Sequence, residues 1–569
     1  MSYTLPNTHD AIRHTMQLLG LHYAIWLILA LYFAGMLALG WLSRRGAHTQ
    51  EGYLIGNRGF GTLSMVMHAF GAGTNPGDAA GVITATVRSG VSGVWISWMW
   101  LFGTPFYWLI APVIRRMRYL TMADFYEKRF GRAACILYIA VASTGMVVFL
   151  GGVMLATTRT VQGMMGKPGD AWFFGILTVS TAVFLVYSYW GGIVAAVRTD
   201  MVQGLMIIAL SIIAIPAALN TPQVGGLGGM LDTLAARKAE NPAILNLFDP
   251  NAFDIWTVLL LTISAPLTAL AFPHLITVCG AGKTEWHGRV GFTCGNLLKR
   301  LCTIGWSLLG LAWLVWLLNS NAPINTETAF GDSIRQFLSP VLQGIMLACI
   351  MAAAMSSGDA VQVTVAGLFS QNLYAAFIRP NATDAQRLAV TRYVGVAIAL
   401  IAFAAAVAMR SSIVKAVLDY FNILSLIGIC TAMGILWRRM NTGGVFLGAG
   451  LAVASFILTR YCYDCPRVFT FALPILTGLL GGITGSLLTR PAKPEIIDDF
   501  YKRIYTPIGR EDRLSLPLDQ AVPPQRRLLT AGGLFLVKPS AQSIWGLLIT
   551  LGVCLACVAA MLILLNLRL

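Results

Sequence analysis

The sequence predicts an all-α multispanning membrane protein of about 14 transmembrane helices, on three observations. The 569 residues are 57% hydrophobic and only 11% charged, too little polar surface to solvate a soluble multidomain chain. Apolar runs of roughly 20 residues, the length that crosses a bilayer as a helix, recur from residue 23 to the C-terminus. Basic residues, finally, divide unevenly between alternate loops.

Taken in order, the expected spans are 23-43, 62-85, 93-117, 133-156, 171-190, 200-219, 255-279, 291-318, 340-362, 390-409, 414-436, 443-460, 468-488 and 541-566. Residues 1-22 lack the basic lead and small-residue cleavage site of a signal peptide, so the first span is expected to be retained. With the N-terminus outside the cell membrane, inside loops carry 26 Lys and Arg against 12 outside, with Lys299 and Arg300 inside a span. This asymmetry follows the positive-inside rule. It explains the net charge of +16 without nucleic acid, and makes RRMRYLTMADFYEKRFGR (115-132) a cytoplasmic anchor. The bilayer is the expected partner, and no obligatory protein partner is evident.

Between spans the loops are short, apart from 220-254 outside and 490-540 inside, where PEIIDDFYKRIY reads as a surface helix and PPQRR as a breaker. The chain has no Walker A sequence, HExxH or GxSxG, which argues against a pump or an enzyme. Eight of the ten cysteines lie in spans or at their ends as small apolar side chains. Cys462 and Cys465 form a lone CxxC, a weak metal or disulfide signal.

Two spans are interrupted. GAGTNPGDAAG (71-81) and SAPLTALAFPHLITVCGAG (264-282) put proline, glycine and polar residues at membrane depth. Proline lacks a donor and frees the carbonyl one turn back, and freed backbone is tolerated there only against protein or a cavity. Dividing the core into 62-219 and 255-436 makes the broken helix the first of each five-helix unit, and the two units run in opposite directions. Matched breaks in inverted halves point to a secondary transporter's binding site; the plain alternative is a pair of packing kinks. Around this core stand 1-61, the loop 220-254, two additional helices in 437-489, the linker 490-540 and a last helix in 541-569.

Several tracts resemble the sodium:solute symporter family: YLIGNRGFG (53-61), MRYLTMADFYEKRFG (117-131), YSYWGGIVAAVRTDMVQ (187-203), MAAAMSSGDA (351-360) and GILWRRMNTGGVFLGAG (434-450). The resemblance covers about residues 25-485 and implies an inverted five-plus-five core of the leucine-transporter type. It also implies a Na+ site between spans two and nine. Carried over by residue, an A-x-x-S-S pattern lands on Ala353, Ser356 and Ser357, and two backbone carbonyls land on Gly71 and Thr74. Residues three and four apart share a helix face, and a hard cation prefers oxygen ligands. Hydroxyls bonded back to their own helix are the alternative. The family's TD motif places Asp200 where Na+ would be released. Asp359, ionisable at membrane depth, falls with Gln362 on the cytoplasmic side of that site.

Solute residues carry over poorly. Gly73, Gly77 and Asp78 stand where the sugar branch has Asn, Glu and Gln, the proline branch has Trp at Gly77, and Val278 replaces a common arginine. The remaining candidates are Asn75, Asp78, His274 and Lys299, with His68, Asn296 and Thr303 nearby. Asp78 and Lys299 either wall a pocket for a polar or zwitterionic solute or neutralise each other; His68 either relays protons or is a satisfied histidine. The expected function is Na+-coupled import of a small polar organic solute by alternating access. The rivals are a proton-coupled transporter of the same fold and a transporter-like membrane sensor.

Overall fold

The computed structural model describes residues 17–43, 55–188, 193–463 and 465–566. Arg44, Arg45, Gly191, Gly192, Asp464 and residues 1–16 lie outside the described residues. The chain is helical almost throughout. Two short antiparallel hairpins are the exceptions, β1 (Gln17–Leu18) with β2 (Leu21–His22), and β3 (Arg527–Leu529) with β4 (Leu536–Val537).

From the N-terminus the helices are α1 (Tyr23–Ser43), α2 (Thr62–Gly73), α3 (Pro76–Ser89), α4 (Tyr107–Met117), α5 (Met122–Phe130), α6 (Arg132–Met165), α7 (Asp170–Ser188) and α8 (Ile193–Leu219). The chain continues with α9 (Gly226–Ala236), α10 (Ile255–Ala271), α11 (Leu275–Gly280), α12 (Glu285–Asn319), α13 (Ala329–Phe337), α14 (Pro340–Gly367), α15 (Asp384–Ala408) and α16 (Ile413–Leu436). It ends with α17 (Thr442–Ile457), α18 (Arg467–Leu488), α19 (Pro494–Tyr505) and α20 (Ala541–Asn566). Among the described residues, ten helices are long and apolar enough to cross a membrane. The stretches Tyr23–Leu39, Asp170–Val183 and Ile255–Ala271 are shorter apolar helices.

Local chemistry sets most ends. Thr121 accepts from the Asp124 N–H while the Asp124 carboxylate takes the Thr121 N–H, a reciprocal cap that satisfies two orphan donors. Thr383 and Gln386 do the same for α15. Asn441 caps α17 by accepting from Gly444 N at 3.0 Å. The expected surface helix in the linker is α19, and PPQRR becomes a 3-10 turn, Pro524–Arg526, feeding β3.

Several expected spans begin earlier than their apolar runs, at Ile193, Glu285 and Asp384 for 200-219, 291-318 and 390-409, and three differ more. The run 93-117 is not one helix: Trp95–Trp98 makes a single turn, and α4 begins only at Tyr107 after the Gly103-Thr104-Pro105 bend. A proline two residues after a glycine interrupts the helical hydrogen bonds that the apolar run otherwise supports. The span at 133-156 extends to Met165 and ends on Gly166 at φ 63°, a left-handed position that favours glycine. The span at 340-362 continues through α14 into a π-helical stretch, Leu368–Ile378.

Packing brings α2 against α12, α8 and α14. The α2/α12 seam is made by glycine. A Cβ on Gly291 would lie 2.5 Å from the Met65 Cβ, and one on Gly295 2.6 Å from the Val66 carbonyl oxygen. Small residues let membrane helices approach this closely and gain dispersion contacts where lipid supplies no hydrophobic drive. Gly295→Val is therefore expected to destabilise the fold by at least the ~1–3 kcal/mol typical of overpacking. Thermal unfolding in detergent checks it, and an unchanged midpoint would mean that the seam is looser than this.

Candidate functional site

The break between α2 and α3 starts with four carbonyls that lose the donor four residues on, of which Gly71 O alone keeps a backbone partner, the Thr74 N–H at 3.2 Å. In a regular helix the Gly71 oxygen would accept from Asn75, but the Asn75 N–H donates instead to Asp78 Oδ2 at 2.9 Å. The Ala72 oxygen would accept from residue 76, which is proline and has no N–H. The Gly73 oxygen loses Gly77, whose N–H goes to Asn75 Oδ1 at 2.8 Å, and the Thr74 oxygen loses Asp78, whose N–H goes to Asn75 O at 3.0 Å. The capping box that starts α3 thus unpairs the end of α2. Thr74 and Asn75 are extended, at φ −122° and −129°.

Neighbouring helices meet these carbonyls. Lys299 on α12 donates its ammonium to Gly73 O at 2.5 Å and stands 2.8 Å from Asp78 Oδ2. Ser357 Oγ on α14 lies 3.4 Å from Gly71 O, 3.4 Å from Ala72 O and 3.3 Å from Thr74 O. One hydroxyl proton cannot serve three carbonyls. Thr74 Oγ1 is also buried without a hydrogen-bond partner. The result is a buried cluster of neutral oxygens, the donor chemistry that suits a hard monovalent cation.

Beside it, Asp200 near the start of α8 ties three elements together. Its Oδ2 is 2.7 Å from His68 Nδ1 on α2, and its Oδ1 accepts from the Ser356 hydroxyl on α14. Both His68 and Asp200 are 1% exposed. A Cβ on Gly71 would fall 2.6 Å from Ser356 Oγ and 3.2 Å from Asp200 Oδ1, so only glycine lets the α2 backbone reach these groups. Ala353 is buried one turn before Ser356, and Asp359 is buried one turn after it. Gln362, on the same helix, donates to Gly395 O on α15 at 3.3 Å.

The second break, between α10 and α11, is built without charges. Pro273 leaves Ala269 O to accept from Phe272 N at 3.3 Å, and Ala271 O is taken by the Tyr138 hydroxyl at 3.0 Å. His274 caps α11, with Nδ1 buried and unpartnered. Its ring lies 4.7 Å from Phe272, which stacks on Trp100 at 5.7 Å.

The structure therefore brings together Gly71, Thr74, Ser356, Ser357 and Asp200 at one point, and Asn75, Asp78 and Lys299 at the adjoining cap. His274 stands at the other break. Along α12 the three expected neighbours take separate partners: Asn296 Nδ2 donates to Phe292 O at 2.9 Å, Lys299 goes to the break, and Thr303 Oγ1 lies 2.8 Å from Ser97 Oγ. Sequence reasoning missed Ser97 and Arg300, which pair through Arg300 Nη1 and Ser97 O at 2.9 Å. Only the charge of Arg300 inside an apolar span signalled them. Cys462 and Cys465 are free thiols.

The family model for the sodium:solute symporter family matches residues 53–451. The osmoregulated proline transporter of Bacillus subtilis is 26% identical over 485 residues, 82% of this chain and 95% of that protein. Sodium/glucose cotransporter 2 of Rattus norvegicus is 23% identical over 502 residues, 78% of this chain and 74% of that protein. In fold, the chain is similar to a Na+-coupled sialic acid symporter in its substrate-bound outward-open state, with a TM-score of 0.71 and 17% identity over 83% of this chain and 98% of that one. The chain belongs to the sodium:solute symporter family, and it is accordingly a membrane transporter and symporter, not an enzyme, with Na+ as its coupling ion.

Proposed function

We propose that the chain imports a small polar organic solute with Na+ across the cell membrane by alternating access. The reading includes 14 crossings, the N-terminus outside, and inverted five-helix units in 62-219 and 255-436. The observation that carries it is the convergence of Ser357 Oγ on the Gly71, Ala72 and Thr74 carbonyls at the first break. Na+ is held there by the carbonyls of Gly71, Thr74 and Ala353 and the hydroxyls of Ser356 and Ser357. Asp200 and Asp359 mark its way out on the inner side.

Moving one positive charge inward gains about 2.3 kcal/mol per 100 mV, roughly fiftyfold in accumulation before any Na+ gradient is added. An ion used this way must also leave. Neutral oxygens hold it less tightly than a cage of carboxylates, and the proton of Ser356 is already given to Asp200, leaving the hydroxyl oxygen to face the ion.

The solute sits between the two breaks, near Asn75, Asp78, His274 and Lys299. The buried, unpartnered His274 Nδ1 supports a polar contact, and the Trp100–Phe272 stack supports a neighbouring apolar one. The Bacillus relative makes L-proline the first solute to test, with glucose second after the rat relative. Asp78 and Lys299 neutralise each other at 2.8 Å with 4% and 5% of their side chains exposed, so their role is to hold the wall of the chamber.

In proteoliposomes, Ser356→Ala/Ser357→Ala is expected to raise the half-saturating Na+ concentration at least tenfold or abolish uptake. Uptake that keeps its original dependence on external Na+ removes these residues from the ion site. For the buried pair, Asp78→Asn alone is expected to destabilise the protein by ~3–5 kcal/mol by leaving Lys299 uncompensated, with most of the loss recovered in Asp78→Asn/Lys299→Gln. Thermal unfolding of the three proteins decides it. Equal losses in the single and double variants would show that the two charges do not act as a pair.

A further inference from the structure

A second cavity, of about 660 Å³, lies where α4, α10 and α16 meet the segment leading into α20. None of the residues at the α2/α3 break, or of those that meet it, line this cavity. Its apolar wall comes from Phe106, Ile110, Leu267, Leu270, Ile435 and Leu536. Phe106 and Leu436, which also line it, keep 44% and 41% of their surface exposed, so this wall opens sideways on the surface that a bilayer would cover. The volume falls within the ~300–1,000 Å³ usual for ligand cavities.

The polar wall is basic. Arg116, Arg289, Arg526 and Lys538 line it, and no acidic residue does. Two of the four cations are accounted for. Arg116 makes two 2.8 Å bonds to Glu285, and Arg289 reaches Gln542 at 3.0 Å and Glu285 at 3.8 Å. Among the described residues, neither the Arg526 guanidinium nor the Lys538 ammonium has an ion-pair partner. They are held side by side at the β3/β4 hairpin by the Lys538 N–H, which donates to Arg526 O at 2.8 Å. The hairpin keeps two free cations over an apolar chamber.

We propose that this cavity is a binding site for an anionic glycerophospholipid from the leaflet on the side of the 490-540 segment. Arg526 and Lys538 hold the headgroup phosphate, and one acyl chain lies along Ile110, Leu267 and Ile435. A free anion uses only the basic end and makes no use of the apolar wall. A zwitterionic lipid fills the apolar wall but brings its own cation to the basic end. The combination of both walls selects the anionic lipid, as basic pockets between membrane helices do for acidic headgroups.

The test uses the purified, delipidated full-length protein, with native mass spectrometry to count retained lipids and thermal unfolding as a second readout. Palmitoyl-oleoyl phosphatidylglycerol, the matching phosphatidylcholine and inorganic phosphate are added separately. One phosphatidylglycerol is expected to be retained, and Arg526→Gln/Lys538→Gln to weaken its binding about thirtyfold. Among the described residues the side chains of Arg526 and Lys538 make no hydrogen bond or ion pair, so this variant is expected to unfold at the wild-type temperature without lipid. Equal retention of the two lipids, or retention unaffected by the double variant, overturns the site. Stabilisation by phosphate equal to that by phosphatidylglycerol makes it an anion site and overturns the lipid.

Discussion

The interaction on which the rest of the site depends is the Asn75–Asp78 cap. At membrane depth every backbone polar group needs a partner inside the protein. By drawing the Asn75, Gly77 and Asp78 N–H groups into a local cap, with proline at position 76, the sequence leaves three consecutive carbonyls, Ala72 to Thr74, to find partners elsewhere, while Gly71 O keeps only the Thr74 N–H at 3.2 Å. Those partners can come only from other helices. Lys299 on α12 and Ser357 on α14 supply them, and the glycine seam of α12 on α2 lets the lysine helix come close enough.

Asp200 extends the same logic across the bundle. A buried carboxylate is costly unless its oxygens are bonded, and both of its oxygens are, to His68 on α2 and Ser356 on α14. The two helices that would share an ion are thus also joined through a third. The two breaks differ in kind. The first is braced by a lysine–aspartate pair, the second by neutral groups such as the Tyr138 hydroxyl. A charge-braced break resists separation; a neutral one exchanges partners at lower cost.

Much of this was legible in the sequence where the signal is local. The limits of α1 and α20 coincide with apolar runs at 23-43 and 541-566 because nothing interrupts those runs. The breaks were legible because proline and glycine act on their own chain. The run 93-117 was misread as one helix because its average hydropathy outweighs the Gly103-Thr104-Pro105 bend. Ser356 and Ser357 entered the ion site through the family resemblance, and so did the carbonyls of Gly71 and Thr74, which have no side-chain signature; of the two serines only Ser357 faces those carbonyls, Ser356 being bonded to Asp200. The Lys299–Gly73 bond and the Ser97–Arg300 pair join residues more than 200 positions apart, which no local pattern encodes. The lone cations at the β3/β4 hairpin were equally hidden, since a basic linker reads as charge for the inner loops.

The geometry at Ser357 also bears on how binding and motion are linked. Of the three carbonyls that Ser357 Oγ approaches, Gly71 O also accepts from the Thr74 N–H; one proton shared with Ala72 O and Thr74 O leaves at least one of them underserved, and each buried acceptor without a full partner costs about 1–3 kcal/mol. A cation at that point satisfies the carbonyls and the hydroxyl oxygen at once, so it stabilises the arrangement in which α14 is packed on the broken end of α2. By linkage, whatever favours that packing tightens the ion, and whatever separates α14 from α2 releases it by the same factor. Under the proposed reading, in which the solute lies between the two breaks beside the cap that exposes the carbonyls, it acts on that packing without touching the ion. Coupling of solute to ion then requires no direct contact between them: the shared element is the end of α2, where the carbonyls of Ala72, Gly73 and Thr74 are exposed by one asparagine, one proline and one aspartate.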